Sequence, residues 1–100
     1  MKLILNKNSL RENPVQFMRR AGYSFIRGIA GEEMSFQRPL EAGGWPRFHV
    51  YLKEDRDQVF INLHLDQKRA SYEGSSAHNA EYDSQLTKTE LERINFLATH

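Results

Sequence analysis

The clearest alternation of apolar and polar residues lies near the middle of the chain. Residues 48–53 and 58–66 both alternate with a period of two, which is typical of half-buried strands. The charged residues 54–57 separate them, so we interpret this segment as a hairpin with a four-residue loop. That loop length pairs Val50 with Ile61 and predicts one wholly apolar face.

The opposite face of the predicted hairpin is polar and carries aromatic rings. In the same register, His49 and His64 are diagonal neighbours on this face, and Tyr51 lies across from Phe60. Asp66 follows on the same face. The hairpin therefore predicts a sheet whose second side is either open to solvent or covered by another part of the chain.

Two helices are predicted from their start and stop signals. The first begins after Asn13, which suits an N-cap, with Pro14 at the first helical position and Gly22 as a left-handed stop. The second is predicted to begin at Thr87, which forms a capping box with Glu90. Its apolar stripe comprises Leu91, Ile94, Leu97 and Ala98.

The remaining segments complete an α-β-β-β-α order. Residues 23–27 are rich in aromatic and branched side chains and predict a strand directly after the first helix. Residues 28–46 predict a long irregular connection, and a short strand around residues 34–38 is an alternative that would add to this order. We expect a single α+β domain over residues 1–100, in which two helices pack on one face of a small antiparallel sheet.

A long loop is predicted at residues 67–85. Loops of this length in compact domains are usually functional or disordered. This one holds two tyrosines, a histidine and charges of both signs, and it leaves the last strand beside the polar face. Either it contributes to a site on that face, or it is an ordinary surface loop.

The amino-acid composition excludes several classes of protein and of functional site. The chain has 100 residues, of which 39% are hydrophobic and 27% charged, as in a globular domain. The absence of cysteine excludes disulfides, thiolate zinc sites and cysteine nucleophiles. No apolar stretch has the length of a membrane span, and no signal-peptide core follows the N-terminus. We expect a cytoplasmic protein with no membrane partner.

The charges are segregated along the sequence. Residues 1–53 hold nine basic and four acidic residues, and the remainder holds five basic and nine acidic residues. Such asymmetry suits an anionic partner on the first half, or a second copy that docks through opposite charges. Alternatively, the two halves interleave their charges in the folded domain.

One hypothesis from these residues is nucleic-acid binding. Basic side chains can neutralise phosphates, and exposed aromatic rings can stack on unpaired bases. The candidates are Arg19, Arg20, Arg27, Tyr51, Phe60, Lys68 and Arg69. Alternatively, the rings of Tyr51 and Phe60 pack beneath the long loop.

A second hypothesis is histidine chemistry. His49, His64 and His78 are candidate catalytic residues, because histidine exchanges protons near neutral pH. A divalent metal is a possible cofactor, since imidazole and carboxylate ligands suit zinc or manganese. Its candidate ligands are His64, Asp66, His78 and Glu81. The alternative is that the two sheet histidines are hydrogen-bonded structural residues and that His78 is simply exposed.

The layout resembles that of HicA-type toxins and other small double-stranded-RNA-binding-like domains. Residues 21–27, AGYSFIR, are similar to the opening of that family, and His64 stands where its members often carry a histidine. The family cleaves messenger RNA with a histidine in a Gly-Ser-His run. This run is absent here, and the nearest residue is His49. The resemblance implies an RNA-facing surface.

Taken together, these patterns favour a small domain that binds RNA or another anionic partner. The binding surface would combine the basic first half with the polar sheet face. A histidine-based hydrolase or nuclease, with or without a metal, is the alternative activity. A third alternative is a module that interacts with a protein partner or with a second copy of itself.

Overall fold

The computed structural model describes residues 1–29, 32–67 and 80–100, with the backbone alone for residues 80–82. It confirms an α+β fold with a five-stranded antiparallel sheet and two helices. The elements are β1 (Lys2–Asn6), a 3-10 turn (Lys7–Ser9), α1 (Pro14–Arg20), β2 (Ser24–Arg27), β3 (Met34–Pro39), β4 (Arg47–Asp55), β5 (Gln58–Asp66) and α2 (Ala80–Thr99).

The strand order across the sheet is β1-β5-β4-β3-β2, so that β1 and β2 form the edges. The sequence patterns did not predict β1, which pairs with β5 and places Leu5 in the core. Both helices contribute to one hydrophobic core with alternate residues of the strands. Its fully buried members include Phe17, Met18, Phe36, Val50, Leu52, Ile61 and Ile94. We call this helix-packed side of the sheet the covered face, and the other side the open face.

The β4–β5 hairpin has the predicted faces but a different register. Its turn holds only Arg56 and Asp57, and Arg56 adopts a left-handed φ of 55°. The ladder therefore extends to Asp55 and Gln58, and Val50 pairs with Leu63 rather than with Ile61. A shift of two residues preserves the alternation of side chains, which explains why the apolar face was still predicted correctly.

The first helix has the predicted ends. Asn13 caps α1, because its side-chain oxygen accepts a hydrogen bond from the backbone N–H of Gln16 at 2.9 Å. Pro14 is the first helical residue, and Gly22 follows the helix with φ of 98°. A side chain at that φ would be strained, so glycine suits this stop.

The second helix begins earlier than its predicted capping box. α2 starts at Ala80, so residues 80–85 of the predicted long loop are helical and Thr87 lies inside the helix. The Thr87 hydroxyl donates to the carbonyl of Asp83 at 2.8 Å, as threonines within helices often do. Residues 68–79 lie outside the described part of the chain. The predicted connection at residues 28–46 contains β3, at the place where a short strand was expected.

Glu90, the other half of the predicted capping box, instead joins a buried network on the covered face. It accepts hydrogen bonds from the Tyr23 hydroxyl at 2.6 Å and from Arg93 through both carboxylate oxygens, at 2.8 and 2.9 Å. Arg93 also donates to the carbonyl of Ala21 at 2.6 Å, and Arg38 approaches Glu90 at 3.6 Å. We call Tyr23, Arg38, Glu90 and Arg93 the covered-face cluster.

Burial and hydrogen bonding shift the pKa values of Tyr23 and Arg93 in this cluster. Burial, reinforced by the hydrogen bond to Glu90, raises the pKa of the Tyr23 hydroxyl far above its usual value. The hydrogen bond to Glu90 raises the pKa of Arg93. The cluster thus joins α2 to the end of α1 through one compensated carboxylate.

Candidate nucleic-acid interface

The antiparallel register aligns the side chains of the open face in rows that cross the sheet. The central row is Lys2, Asn62, Tyr51, Ser35 and Arg27. One neighbouring row is His64, His49, Gln37 and Ser24. The row on the other side, towards the β4–β5 turn, is Ile4, Phe60 and Lys53. The open face is therefore a polar surface interrupted by aromatic and histidine rings.

A depression of about 480 Å³ lies on this face. Its lining residues are Lys2, Glu33, Tyr51, Lys53, Asp55, Phe60, Ile61, Asn62 and His64. We call it the aromatic depression. Tyr51 and Phe60, predicted to lie directly across from each other, are diagonal neighbours in it, because Tyr51 pairs with Asn62 and Phe60 pairs with Lys53.

Tyr51 is the centre of a group of rings. It packs against His49, with ring centroids 4.4 Å apart, and meets His64 edge to face at 5.7 Å. The two histidines were predicted to be diagonal neighbours, but they lie directly across from each other in the β4–β5 ladder. The tyrosine ring is thus supported on one side of the depression by both imidazoles.

His49 is held at both ring nitrogens. Its Nε2 lies 2.6 Å from the Ser35 Oγ, and its Nδ1 lies 3.2 Å from a carboxylate oxygen of Asp66. A neutral ring satisfies both contacts when Nδ1–H donates to Asp66 and Nε2 accepts from the Ser35 hydroxyl. We call this arrangement the Ser35–His49–Asp66 chain, and it fixes the ring against which Tyr51 packs.

The sequence patterns did not single out Ser35. No sequence pattern identifies it, because its contact with His49 depends on the pairing of β3 with β4. The order hydroxyl, imidazole, carboxylate is also that of serine hydrolases. Ser35, however, is only 4% exposed and lies in a strand that is paired on both sides, so its surroundings suit a positioning role.

Arg47 and Trp45 lie at the far end of the open face. The Arg47 guanidinium stacks over the Trp45 ring at 4.2 Å, and its Nη1 donates to the Gln37 side-chain oxygen. Arg47 also lies across the β4–β5 ladder from Asp66. This tryptophan is therefore part of a cation–π pair next to the Ser35–His49–Asp66 chain.

The predicted basic cluster is not brought together on one face. Arg27 lies on the open face, but Arg19 and Arg20 belong to α1, which packs on the covered face. Arg20 is further engaged by Glu12 at 2.6 Å and by the carbonyl of Leu97 at 3.3 Å. Proximity in sequence across a helix–strand junction does not place residues on the same side of a sheet, so a nucleic-acid role for Arg19 and Arg20 stays a prediction.

The residues proposed for histidine chemistry and metal binding do not form a metal cluster in the described part of the chain. Within residues 1–29, 32–67 and 83–100, no group of three or more histidine or acidic side chains could hold a metal ion. Asp66, one proposed ligand, is engaged by His49. The other proposed residues Lys68, Arg69 and His78, and the side chain of Glu81, lie outside the described part of the chain.

Comparisons with known proteins do not add a relative. Protein-family models, curated proteins and solved structures give no match to this chain. In the part of the chain that the structure describes, neither helix has the length and apolar character needed to cross a membrane. The case for a function therefore rests on the geometry of the open face.

Proposed function

We propose that this protein binds single-stranded RNA across the open face of its sheet. The observation that carries the proposal is the aromatic depression. In it, Asn62 lies next to the rings of Tyr51 and Phe60, and a lysine, Lys2 or Lys53, lies on each side of this group. Sheet surfaces with aromatic side chains on adjacent strands are a common means of binding unpaired bases. Alternate residues of β1, β4 and β5 supply all of these groups.

Each component has a physical role in the proposed complex. The aromatic rings can stack on bases, and a stacked base is worth about 1–3 kcal/mol. The amide of Asn62 offers both a donor and an acceptor to a base edge or to a 2′-hydroxyl. Lys2 can neutralise a phosphate beside a bound base, whereas Lys53 lies next to acidic residues of the depression.

The geometry favours a single strand over a duplex. In a duplex the faces of the bases are already stacked, so they cannot reach the rings of Tyr51 and Phe60. The acidic residues Glu33 and Asp55 line the depression near the β4–β5 turn and oppose phosphates there. We expect the RNA backbone to lie towards Lys2, away from the turn.

Fluorescence anisotropy with short labelled oligonucleotides tests the proposal. We expect binding to a single-stranded RNA at low salt, weaker binding to a matching RNA duplex, and a loss of affinity as salt is added. A DNA strand of the same sequence tests whether the 2′-hydroxyl contributes. Absence of binding to every single strand at low salt would contradict the proposal.

Aromatic variants with a matched control locate the surface. Tyr51→Leu and Phe60→Leu should each weaken RNA binding by about 5- to 150-fold, the range that corresponds to one lost stacking contact. Phe96→Leu is the control, because Phe96 is an exposed aromatic residue of α2, on the other side of the sheet. Equal losses for all three variants would place the binding surface elsewhere.

Histidine-based hydrolysis is a second candidate, favoured by the Ser35–His49–Asp66 chain. The burial of Ser35 weighs against its use as a nucleophile. Prolonged incubation of RNA and of an activated ester with the protein, followed by product analysis, tests this candidate. Turnover that is lost in His49→Gln and retained in His100→Gln would favour hydrolysis, whereas intact substrates would leave binding alone.

A further inference from the structure

The two histidines that face each other on the open face are in different environments. His49 has both ring nitrogens engaged, one of them by the carboxylate of Asp66. His64 is exposed, and among the described residues its side chain makes no hydrogen bond and packs edge to face with Tyr51. A positive charge on His49 would be compensated by Asp66, but a positive charge on His64 would be presented to a ligand.

His64 also has a cationic neighbour. Lys2 pairs with Asn62 across the β1–β5 ladder, and His64 is two residues further along β5 on the same face. Diagonal neighbours of this kind lie about 7–8 Å apart, within reach of long side chains. Both side chains line the aromatic depression, so they can converge on one group bound there.

We propose that Lys2 and His64 form a phosphate subsite, and that protonation of His64 strengthens its hold on the bound RNA. This inference rests on the proposed function, because it assigns one backbone phosphate of the RNA to this end of the depression. Phosphate oxygens accept charge-assisted hydrogen bonds from an ammonium group and from an imidazolium ring. The neighbouring Tyr51 would stack on the adjoining base.

The surrounding charges favour this end of the depression. Glu33 and Asp55 lie near the turn, beside Lys53, and reduce the positive potential there. Asp66, the acidic residue closest to His64 along β5, is engaged by His49 and lies across from Arg47. Arg27 of β2 is on the same face, on the far side of Ser35 in the central row. The N-terminal ammonium of Met1 donates to the carbonyl of Leu63 at 3.1 Å and adds positive charge beside His64, so net positive charge at this end of the depression is left for the ligand.

The sign of the pH dependence follows from linkage. A phosphate that prefers the protonated ring promotes proton uptake when RNA binds, so affinity is highest in mild acid. It then falls as the pH rises and the ring gives up its proton. Oligouridine is the appropriate probe, because uracil has no group that titrates near neutral pH.

The experiment measures oligouridine binding at about pH 5.5 and about pH 8, each over a series of salt concentrations. At the lower pH we expect binding about two- to fivefold tighter, as for one partly exposed ion pair, and a salt slope steeper by about 0.7. His64→Gln should remove both differences, so that its affinity and salt slope are the same at the two pH values. Lys2→Gln should reduce the salt slope by about 0.7 at both pH values.

Two controls separate the subsite from general effects of histidine charge. His100→Gln removes an exposed histidine beyond the end of α2, so it should keep the full pH dependence. Lys88→Gln removes an exposed lysine of α2 and should leave the salt slope unchanged. RNA binding without pH dependence, or with a dependence that survives His64→Gln, would overturn the subsite and leave the proposed function standing. Absence of RNA binding at either pH would overturn both.

Discussion

Alternate residues of the same strands build the covered and open faces of this sheet, and each face contains a hydrogen-bonded polar network. On the covered face, Glu90 is 5% exposed and is held by Tyr23 and Arg93. On the open face, the side chain of His49 is 14% exposed and is held by Ser35 and Asp66.

The two networks differ in what surrounds them. In the covered-face cluster, Tyr23 and Glu90 are buried, and only the arginine side chains, at 34% and 36% exposure, reach the solvent. The Ser35–His49–Asp66 chain lies beside the aromatic depression and supports Tyr51 there. A polar network under helices therefore stabilises the fold, whereas a similar network on an open sheet face orients a surface. The following predictions test this difference.

The largest contrast is expected between two isoleucines. Ile94 of α2 is fully buried on the covered face, and Ile4 of β1 is 55% exposed on the open face. Ile94→Ala should lower the free energy of unfolding by about 2–5 kcal/mol through the cavity that it leaves. Ile4→Ala should lower it by less than about 0.5 kcal/mol. Urea melts of both variants give the comparison, and similar losses would mean that α2 does not seal the core.

The next contrast is between the two carboxylates. Glu90→Gln should lower the free energy of unfolding by about 2–4 kcal/mol. This is somewhat less than the loss expected for a fully buried ion pair, because the Arg93 side chain is 36% exposed. Asp66→Asn should cost about 0–1 kcal/mol, since the Asp66 side chain is itself 35% exposed. Chemical denaturation at neutral pH measures both values. A larger loss for Asp66→Asn would reverse the roles assigned to the two networks.

Alkaline pH should destabilise the protein through Tyr23. The folded-state pKa of Tyr23 is raised above that of the unfolded chain, about 10, so its contribution is intact below that value and declines at higher pH. The loss attributable to this group should reach about 1.4 kcal/mol one pH unit above the unfolded value. Denaturant melts between about pH 8 and 11 should show a shallower decline for Tyr23→Phe. Parallel declines for the two proteins would show that Tyr23 is not the responsible group.

The smallest contrast concerns the two predicted helix caps. Asn13→Ala should lower the free energy of unfolding by about 1 kcal/mol, because Asn13 caps α1. Thr87→Ala should cost less than about 0.5 kcal/mol, since Thr87 lies within α2 and alanine has the higher helix propensity. Thermal melts compare the two variants. A cost of about 1 kcal/mol for Thr87→Ala would support a helix that starts at residue 87.

The sequence was most informative where local chemistry decides the structure. Asn13 and Pro14 identify the start of α1 because a cap depends on a few adjacent residues. The alternation of apolar and polar residues is also a pattern of adjacent residues, and it identified both faces of the β4–β5 hairpin. The hairpin register and the start of α2 were mispredicted because the local sequence allows two structures at each place. The hairpin could have a two- or a four-residue turn, and the helix could begin at residue 80 or at residue 87. A shorter turn gains ladder pairs at Glu54 and Asp55, and Glu90 gains a tertiary partner in Tyr23.

The candidate site depends on contacts between residues distant in sequence. His49 and His64 were singled out from their residue type, but Ser35 was not, because its contact with His49 requires the pairing of β3 with β4. Lys2 was likewise missed, since β1 reaches β5 only as an added edge strand. Conversely, Arg19 and Arg20 were predicted to share a binding surface with the polar face of the sheet. They belong to α1, which packs on the covered face.

The most direct test of RNA binding by the open face is an NMR titration of the labelled protein with a short oligouridine. The account predicts shifts concentrated in the aromatic signals of Tyr51 and Phe60 and in the side-chain amide of Asn62, which line the depression. Signals of Phe96 on α2 should remain unchanged. Shifts confined to α1 around Arg19, or no shifts at saturating RNA, would contradict it.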